Sequence, residues 1–398
     1  MNNKYAIIFI LLILSTSLTG CFTNPPIPNI PEWTVMIYLD ADNNLESAGI
    51  DDINEMEMVG SSSKVNIVVQ ADRILNYDNS NGDWTTTRRY YITRDNTFRI
   101  NSQFDDLGEL NMGDPQTLVD FASWAITGYP AKKYLLIIWN HGGGFRSTAY
   151  TKGIAQDDTS GKDIITMPEL EYALSAISVQ IGKNIDIVGM DACLMAMTEV
   201  AYQIKDYADI MVSSEENEPG NGWPYDTILA QLVSNPLISP KQLAADIVDK
   251  YIFSYPSYPS YEITQSAIDL SHMDDLAGQL SALAQTIMSD NLTPKNNYLN
   301  AASFTQNYGA PDFIDLYDFC NQLLTYSNSL EVKNIALNIQ QTLNYAVIKS
   351  GYSGGSVSGS KGLSIYFPWY YAYNSNKYNS TNFAQDTFWD EMLLSLGL

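Results

Sequence analysis

Apolar runs that close on acids or glycines set the rhythm of this chain. "EWTVMIYLDAD" (32–42) is apolar almost throughout before its terminal acids, and "KVNIVVQAD" (64–72) repeats the pattern. Short continuous apolar runs of this kind predict strands buried on both faces. "KYLLIIWNHGGG" (133–144), "NIDIVGMDAC" (184–193) and "ADIMVSSEE" (208–216) read the same way, while "RRYYITR" (88–94) alternates and predicts a more exposed strand. Between them lie apolar residues at helical spacing. "DPQTLVDFASWAITGYP" (114–130) opens on an Asp cap with Pro in the first turn, and "TMPELEYALSAISVQIG" (166–182) is capped in the same manner. "LMAMTEVAYQIKD" (194–206) predicts a helix that starts directly after Cys193.

Strands alternating with amphipathic helices predict an α/β fold, a mostly parallel sheet with helices on both faces. Sites in such sheets lie beyond the carboxyl ends of the strands. From residue 236 the chain turns more helical: 239–255, 272–288 and 330–348 predict helices, 265–271 and 362–368 predict buried strands, and "SGYSGGSVSGSKG" (350–362) predicts a loop. We therefore expect a core over 32–235 and a helix-rich part over 236–398 that packs on the same sheet.

The N-terminus stands apart. Its apolar run, Ala6 to Leu14, is too short to span a bilayer and fits the central region of a secretory signal peptide. Ending in Leu18-Thr19-Gly20-Cys21, it resembles a bacterial lipoprotein signal. That resemblance implies a signal peptide over 1–20, lipid on Cys21 and an extended tether over 21–31; an ordinary signal peptide cut nearby is the simpler alternative. The expected location is outside the cytoplasm, anchored to the cell envelope. No later run reaches 18 apolar residues, so no other membrane segment is expected.

Charge and cysteine content narrow the chemistry. The 398 residues hold 45 acidic and 21 basic side chains, a net of −24, which argues against nucleic acid as a partner. Such a chain attracts cationic peptides or divalent cations, or is simply soluble. Besides Cys21 only Cys193 and Cys320 are present, free to pair but no disulfide framework. With two histidines in all, no zinc-ligand spacing exists.

One of those histidines, His141, ends a strand-like run and precedes three glycines. Cys193 ends another such run and opens the expected helix, whose positive end favours a thiolate. Neighbouring parallel strands would bring the two together, with Gly142 leaving its N–H free to approach an oxyanion. Taken singly, a lone Cys is ordinarily a core residue and a lone His a structural one. Their placement at matched strand ends points to a catalytic pair.

In these residues the chain resembles the clostripain family of cysteine peptidases, of the caspase-like clan. The clan's two signature strands, one ending in His-Gly and one in Ala-Cys, correspond to "LLIIWNHG" and "IDIVGMDAC". "WTVMIYLDADNNLE", "SSEENEPGNGW", "DFIDLYDF" and "GLSIYFP" also read like the family, so the resemblance covers nearly everything after residue 31. It implies a caspase-like sheet, Cys193 as nucleophile, His141 as general acid, and Gly142 and Cys193 N–H groups as oxyanion hole. It implies cleavage after Arg, and less well after Lys, with Asp191 at the pocket floor. Glu215 and Glu216 are the loop acids assigned to substrate binding, with Glu218 beside them. Some members are zymogens cut between the His and the Cys, where Arg146 and Lys152 are the best placed basic residues. No cofactor is required and no metal ligand is assigned. Some members need calcium, but "DADNNLESAGID" (40–51) has Leu45 where a calcium loop of the EF-hand type needs glycine, and the sequence leaves calcium undetermined. The expected function is an exported, lipid-anchored cysteine endopeptidase. The alternatives are an inactive surface binding protein of the same fold and a transpeptidase or self-processing enzyme on the same pair.

Overall fold

All five long apolar runs become parallel neighbours in one sheet. The computed structural model describes residues 30–145, 153–255, 261–370, 373 and 378–398. The strands, in chain order, are β1 (Trp33–Ala41), β2 (Val65–Arg73), β3 (Arg88–Tyr91), β4 (Phe104–Asp106), β5 (Lys133–Trp139), β6 (Ile154–Asp157) and β7 (Asp163–Ile165). They continue with β8 (Ile187–Asp191), β9 (Ile210–Ser213), β10 (Ile263–Asp269), β11 (Phe313–Asp315), β12 (Val347–Ser353) and β13 (Ser364–Tyr366). Among the described residues the main sheet has nine strands in the order β12-β10-β9-β8-β5-β1-β2-β3-β4. The middle five run parallel, and the pairs at both edges are antiparallel.

Alternate residues of the central strands feed two separate cores. Val35, Ile37 and Leu39 of β1 pack under helices Glu46–Val59, Tyr225–Ser234 and Pro240–Ser254. Met36 and Tyr38 face helices Pro115–Gly128, Met167–Ile181 and Met273–Ser289 on the other side. Burying both faces is what makes these strands apolar throughout. The cap signals hold as well: the Asp114 carboxylate accepts from the Gln116 N–H, and Thr166 with Glu169 forms a capping box.

The C-terminal part does complete the sheet, through β10 and β12, within one compact unit over residues 31–398. Three details differ from expectation. The strand in 362–368 is β13, which pairs with β11 in a small separate sheet. The stretch 350–362 is loop only from residue 354, since its first residues belong to β12. No helix starts at Cys193: residues 192–197 form an irregular turn with Leu194 at φ +62°, and the helix begins at Thr198. Among the described residues no helix is long and apolar enough to cross a membrane. Cys21, Arg146 and Lys152 lie outside the described residues.

Candidate active site

β5 and β8 are neighbours, and their register pairs Trp139 with Asp191. His141 and Cys193 each lie two residues further on, so equal overhangs from adjacent strands carry both to one place. The glycine after the histidine is required there. A Cβ on Gly142 would stand 2.5 Å from the Cys193 carbonyl oxygen, a contact that side chains do not make, and a tight 3.1 Å from its nitrogen. Both residues line a cavity of about 300 Å³, together with Trp139, Asp191, Glu218 and Gly222.

The histidine is held from behind. Asn44 Oδ1 lies 2.9 Å from His141 Nε2. An amide oxygen only accepts, so Nε2 carries the hydrogen and Nδ1 is left as the basic nitrogen. The Asn140 side chain accepts from the His141 N–H and donates to Asp40 (2.5 Å), tying the histidine turn to the end of β1. Burial lowers the His141 pKa, with Asp158 opposing. Burial likewise raises the Cys193 thiol, although the Glu218 N–H donates to its Sγ at 3.3 Å. The resting pair is therefore thiol and neutral imidazole, not the thiolate expected from a helix end, because no helix end is there.

Among the described residues the cavity carries acids without a cation. Asp191 is 4% exposed and accepts from the Trp223 N–H (3.1 Å) and the Tyr225 hydroxyl (2.9 Å), both on Oδ2. Gly222 sits at φ +55°, and a Cβ there would meet the Asp191 carboxylate at 2.9 Å. Burial pushes Asp191 up to about 6, while burial and the neighbouring Asp191 push Glu218 well above the usual range; the two share a hydrogen bond. Glu218 Oε2 is buried with no conventional donor. Beneath them Asp52, on the helix Glu46–Val59, is also raised by burial and by Asp191, and accepts from Trp139. A larger cavity of about 410 Å³, lined by Asp51, Asp52, Glu55 and Phe98, lies on this helix and holds no nucleophile.

The loop acids separate cleanly. Glu215 points away from the cavity and accepts from the Gly362 N–H (3.0 Å), and burial followed by Asp315 raises it. Glu216 accepts from the Asn217 (2.7 Å) and Gly309 (2.9 Å) N–H groups. Neither is among the residues lining the cavity; Glu218 is the acid of this loop that lines it. Asn44 and Asp52 went unnoticed in the sequence. For Asp52 a signal existed: it interrupts the apolar stripe Ile50, Ile53, Met56 on a helix face that is buried. The other cysteine and the other histidine lie elsewhere. Cys320 is free and fully buried in the helix Leu316–Tyr326, where burial drives its thiol far up, and His272 stacks on Tyr345. Cys193 is also free, so no disulfide joins the two.

Known proteins resemble this chain in sequence and fold. Clostripain of Hathewaya histolytica is 28% identical over 414 residues, covering 88% of this chain and 76% of its own. A secreted C11 cysteine protease from Bacteroides thetaiotaomicron, solved with an irreversible peptide inhibitor, superposes with a TM-score of 0.66 at 22% identity, over 91% of this chain and 99% of that one. An inactive zymogen C11 protease from Parabacteroides distasonis gives 0.64 at 21%, over 92% and 99%. The sequence profile of the clostripain family matches residues 37–395, and the chain belongs to that family of cysteine endopeptidases.

Proposed function

We propose that this peptidase cuts peptide bonds after Arg, and after Lys less well, with Cys193 as nucleophile and His141 as the acid–base partner. The observation that carries the specificity is the cavity beside Cys193, walled by Trp139 and floored by Asp191 and Glu218 with no cation among them. Two adjacent carboxyls match the planar fork of a guanidinium better than the point charge of an ammonium. Binding a cation draws the shared proton off the pair, so substrate converts an unfavourable burial into an ion pair.

In the reaction, the Sγ proton passes to His141 Nδ1 as sulfur attacks the carbonyl carbon. The oxyanion that forms takes hydrogen bonds from the Gly142 and Cys193 amides. His141 then gives the proton to the departing amine, and water hydrolyses the thioester with the same imidazole as base. Holding Nε2–H on Asn44 keeps Nδ1 available for both transfers. Supporting export is the signal-like N-terminus, and supporting a lipid anchor is Leu18-Thr19-Gly20-Cys21. Cleavage after Arg146 or Lys152 would make the chain a self-processing zymogen.

A peptide-library digestion by wild type and Cys193→Ala tests the reading. Cuts after Arg, absent in the variant, are expected; a preference for Leu or Asp in wild type overturns it. Mass spectrometry of the mature N-terminus tests the anchor, and a terminus other than a lipidated Cys21 refutes it.

A further inference from the structure

The larger cavity, of about 410 Å³, shares a wall with the cavity beside Cys193. Trp139 lines the cysteine cavity and donates to Asp52, which lines the larger one. The turn between Glu218 and Trp223 divides in the same way. Its Gly220 and Gly222 line the cysteine cavity, and Asn221 between them lines the larger one.

Two elements build the rest of the lining. Asp51, Asp52 and Glu55 come from the helix Glu46–Val59, and Phe98 comes from the segment between β3 and β4, where its ring is 94% exposed. Glu57 of the same helix ties that segment down. Its carboxylate accepts from the Asn101 (3.1 Å) and Ser102 (2.6 Å) N–H groups, and its carbonyl accepts from the Asp95 N–H (2.7 Å). The Thr97 hydroxyl in turn donates to Asp95 (2.7 Å). A large apolar ring that the fold leaves in solvent is thereby held at a cavity lined with acids.

Independent of the number of acids, Asp52 is unsatisfied. It is 2% exposed, and its Oδ2 is buried with no hydrogen bond. Asn54 Oδ1, in the same lining, is also buried without a donor. A buried acceptor in this state is costly unless a ligand brings a donor to it. Among the described residues that line the cavity there is no Lys or Arg. Burial first, then Asp226, push Glu55 up to about 7, and burial followed by Asp191 holds Asp52 well above its usual range. The missing partner is one that carries several N–H donors and positive charge.

We propose that this cavity is a second substrate site, taking a further Arg or Lys side chain of the peptide whose cleaved arginine occupies the cavity beside Cys193. The inference rests on the specificity proposed above. A guanidinium supplies donors for Asp52 Oδ2 and Asn54 Oδ1 and a flat face for the Phe98 ring. An extended peptide turns alternate side chains to one side, about 6.6 Å apart. A basic residue two positions from the cleaved arginine therefore projects to the same side, across the shared wall. Paired basic residues with one residue between them are the preferred targets.

The test is a set of peptides with one cleavable Arg and with Arg, Lys or Ala placed two positions to either side of it, digested by the full chain. On one of the two sides, a second Arg should raise kcat/KM about tenfold over Ala, mainly through KM, with Lys giving less. Asp51→Asn and Glu55→Gln should each cut that gain to about threefold or less, and Phe98→Ala should reduce the Arg gain more than the Lys gain. Asp51 and Phe98 are exposed, so these two variants keep the fold. Glu331→Gln, on the exposed first turn of the helix Leu330–Ala346, should keep the gain. Calorimetry with the Cys193→Ala chain should show the same difference in peptide affinity without turnover. No gain on either side overturns the proposal, and so does a gain undiminished in Asp51→Asn and Glu55→Gln. A loss in Glu331→Gln as large as theirs overturns it too, since the overall negative charge would then be the cause. The Arg-to-Leu ratio at the cleaved position separates the two readings. A wild type that prefers Leu there fails the arginine pocket and this site with it, whereas a kept Arg preference without the second gain fails this site alone.

Discussion

Glu218 and Glu215 are three residues apart on one loop, Glu218 half-buried and Glu215 buried, each hydrogen-bonded to an aspartic acid, and they sit in opposite settings. Glu215 pairs with Asp315 in a closed setting: N–H groups of Gly362, Lys361 (2.6 Å) and Asp318 (2.7 Å) serve the pair, and the Tyr308 hydroxyl adds 3.2 Å to Asp315. Glu218 pairs with Asp191 at the floor of a cavity beside a cysteine, and one of its oxygens has no conventional donor. Burial raises the pKa of all four members, so a shifted pKa by itself does not mark a binding site. What marks it is open volume beside Cys193, because Glu215 Oε1 and Glu218 Oε2 alike are buried without a conventional donor. The Glu215 pair joins the end of β9 to the loop before β13; the Glu218 pair lines the cavity beside Cys193.

The difference breaks most visibly under substitution. Glu218→Gln and Asp191→Asn should each lower kcat/KM for Arg peptides at least about 30-fold, since truncating one partner of a buried charge pair costs about 2–5 kcal/mol. Matched Leu peptides should hardly change. If Glu218→Gln keeps the Arg preference, the two pairs are alike after all and both are structural.

pH sharpens the contrast further. The pocket must be ionised to receive guanidinium, and in the free enzyme Asp191 titrates near 6. kcat/KM for Arg peptides should therefore fall as pH drops through about 6, approaching tenfold per unit, whereas the Arg-to-Leu ratio in Asp191→Asn should be flat. Binding of an Arg-directed inhibitor at pH 6 should release protons, measurable in buffers of different ionisation enthalpy. Proton uptake would contradict the shared-proton picture.

The closed pair should report in stability instead. Asp315 is pushed up to about 6 by burial, from an ordinary value of 3.8. A carboxyl raised in the folded state stabilises the fold fully below its unfolded pKa and loses that contribution as pH climbs through the folded value. The thermal midpoint should fall between pH 4 and pH 7, and Glu215→Gln, which donates to Asp315 and lets it ionise, should shallow that fall by about 1 kcal/mol per pKa unit restored. The smallest effect is the diagnostic control. Glu215→Gln should leave the Arg-to-Leu ratio within about twofold, as expected for a site outside the pocket.

How much of this was visible beforehand follows from the kind of signal each feature leaves. The five parallel strands were legible because burial on both faces imposes an unbroken apolar run. His141 and Cys193 were legible because each terminates such a run, and the resemblance to the clostripain family named their roles. The supposed helix at Cys193 was not, since "LMAMTEV" has helical spacing whether or not its first turn forms; Leu194 at φ +62° keeps that turn open. Glu218 was indistinguishable from Glu215 and Glu216, because which acid of "SSEENEPG" faces the cavity depends on how the loop leaves β9.

The sequence by itself therefore determined the sheet, its two covered faces, and the two strand ends where chemistry gathers. Periodicity and termination are local properties, and the hydrophobic effect reads them locally. Tertiary structure alone decided the rest. It set the register that overlays Trp139 on Asp191 and so aligns His141 with Cys193. It brought Asn44 to the imidazole, Asp52 beneath Asp191, and Asp42, Asp72, Glu109 and Asp157 into one cluster. Those meetings join residues tens of positions apart, and only the packing of one element on another fixes such distances.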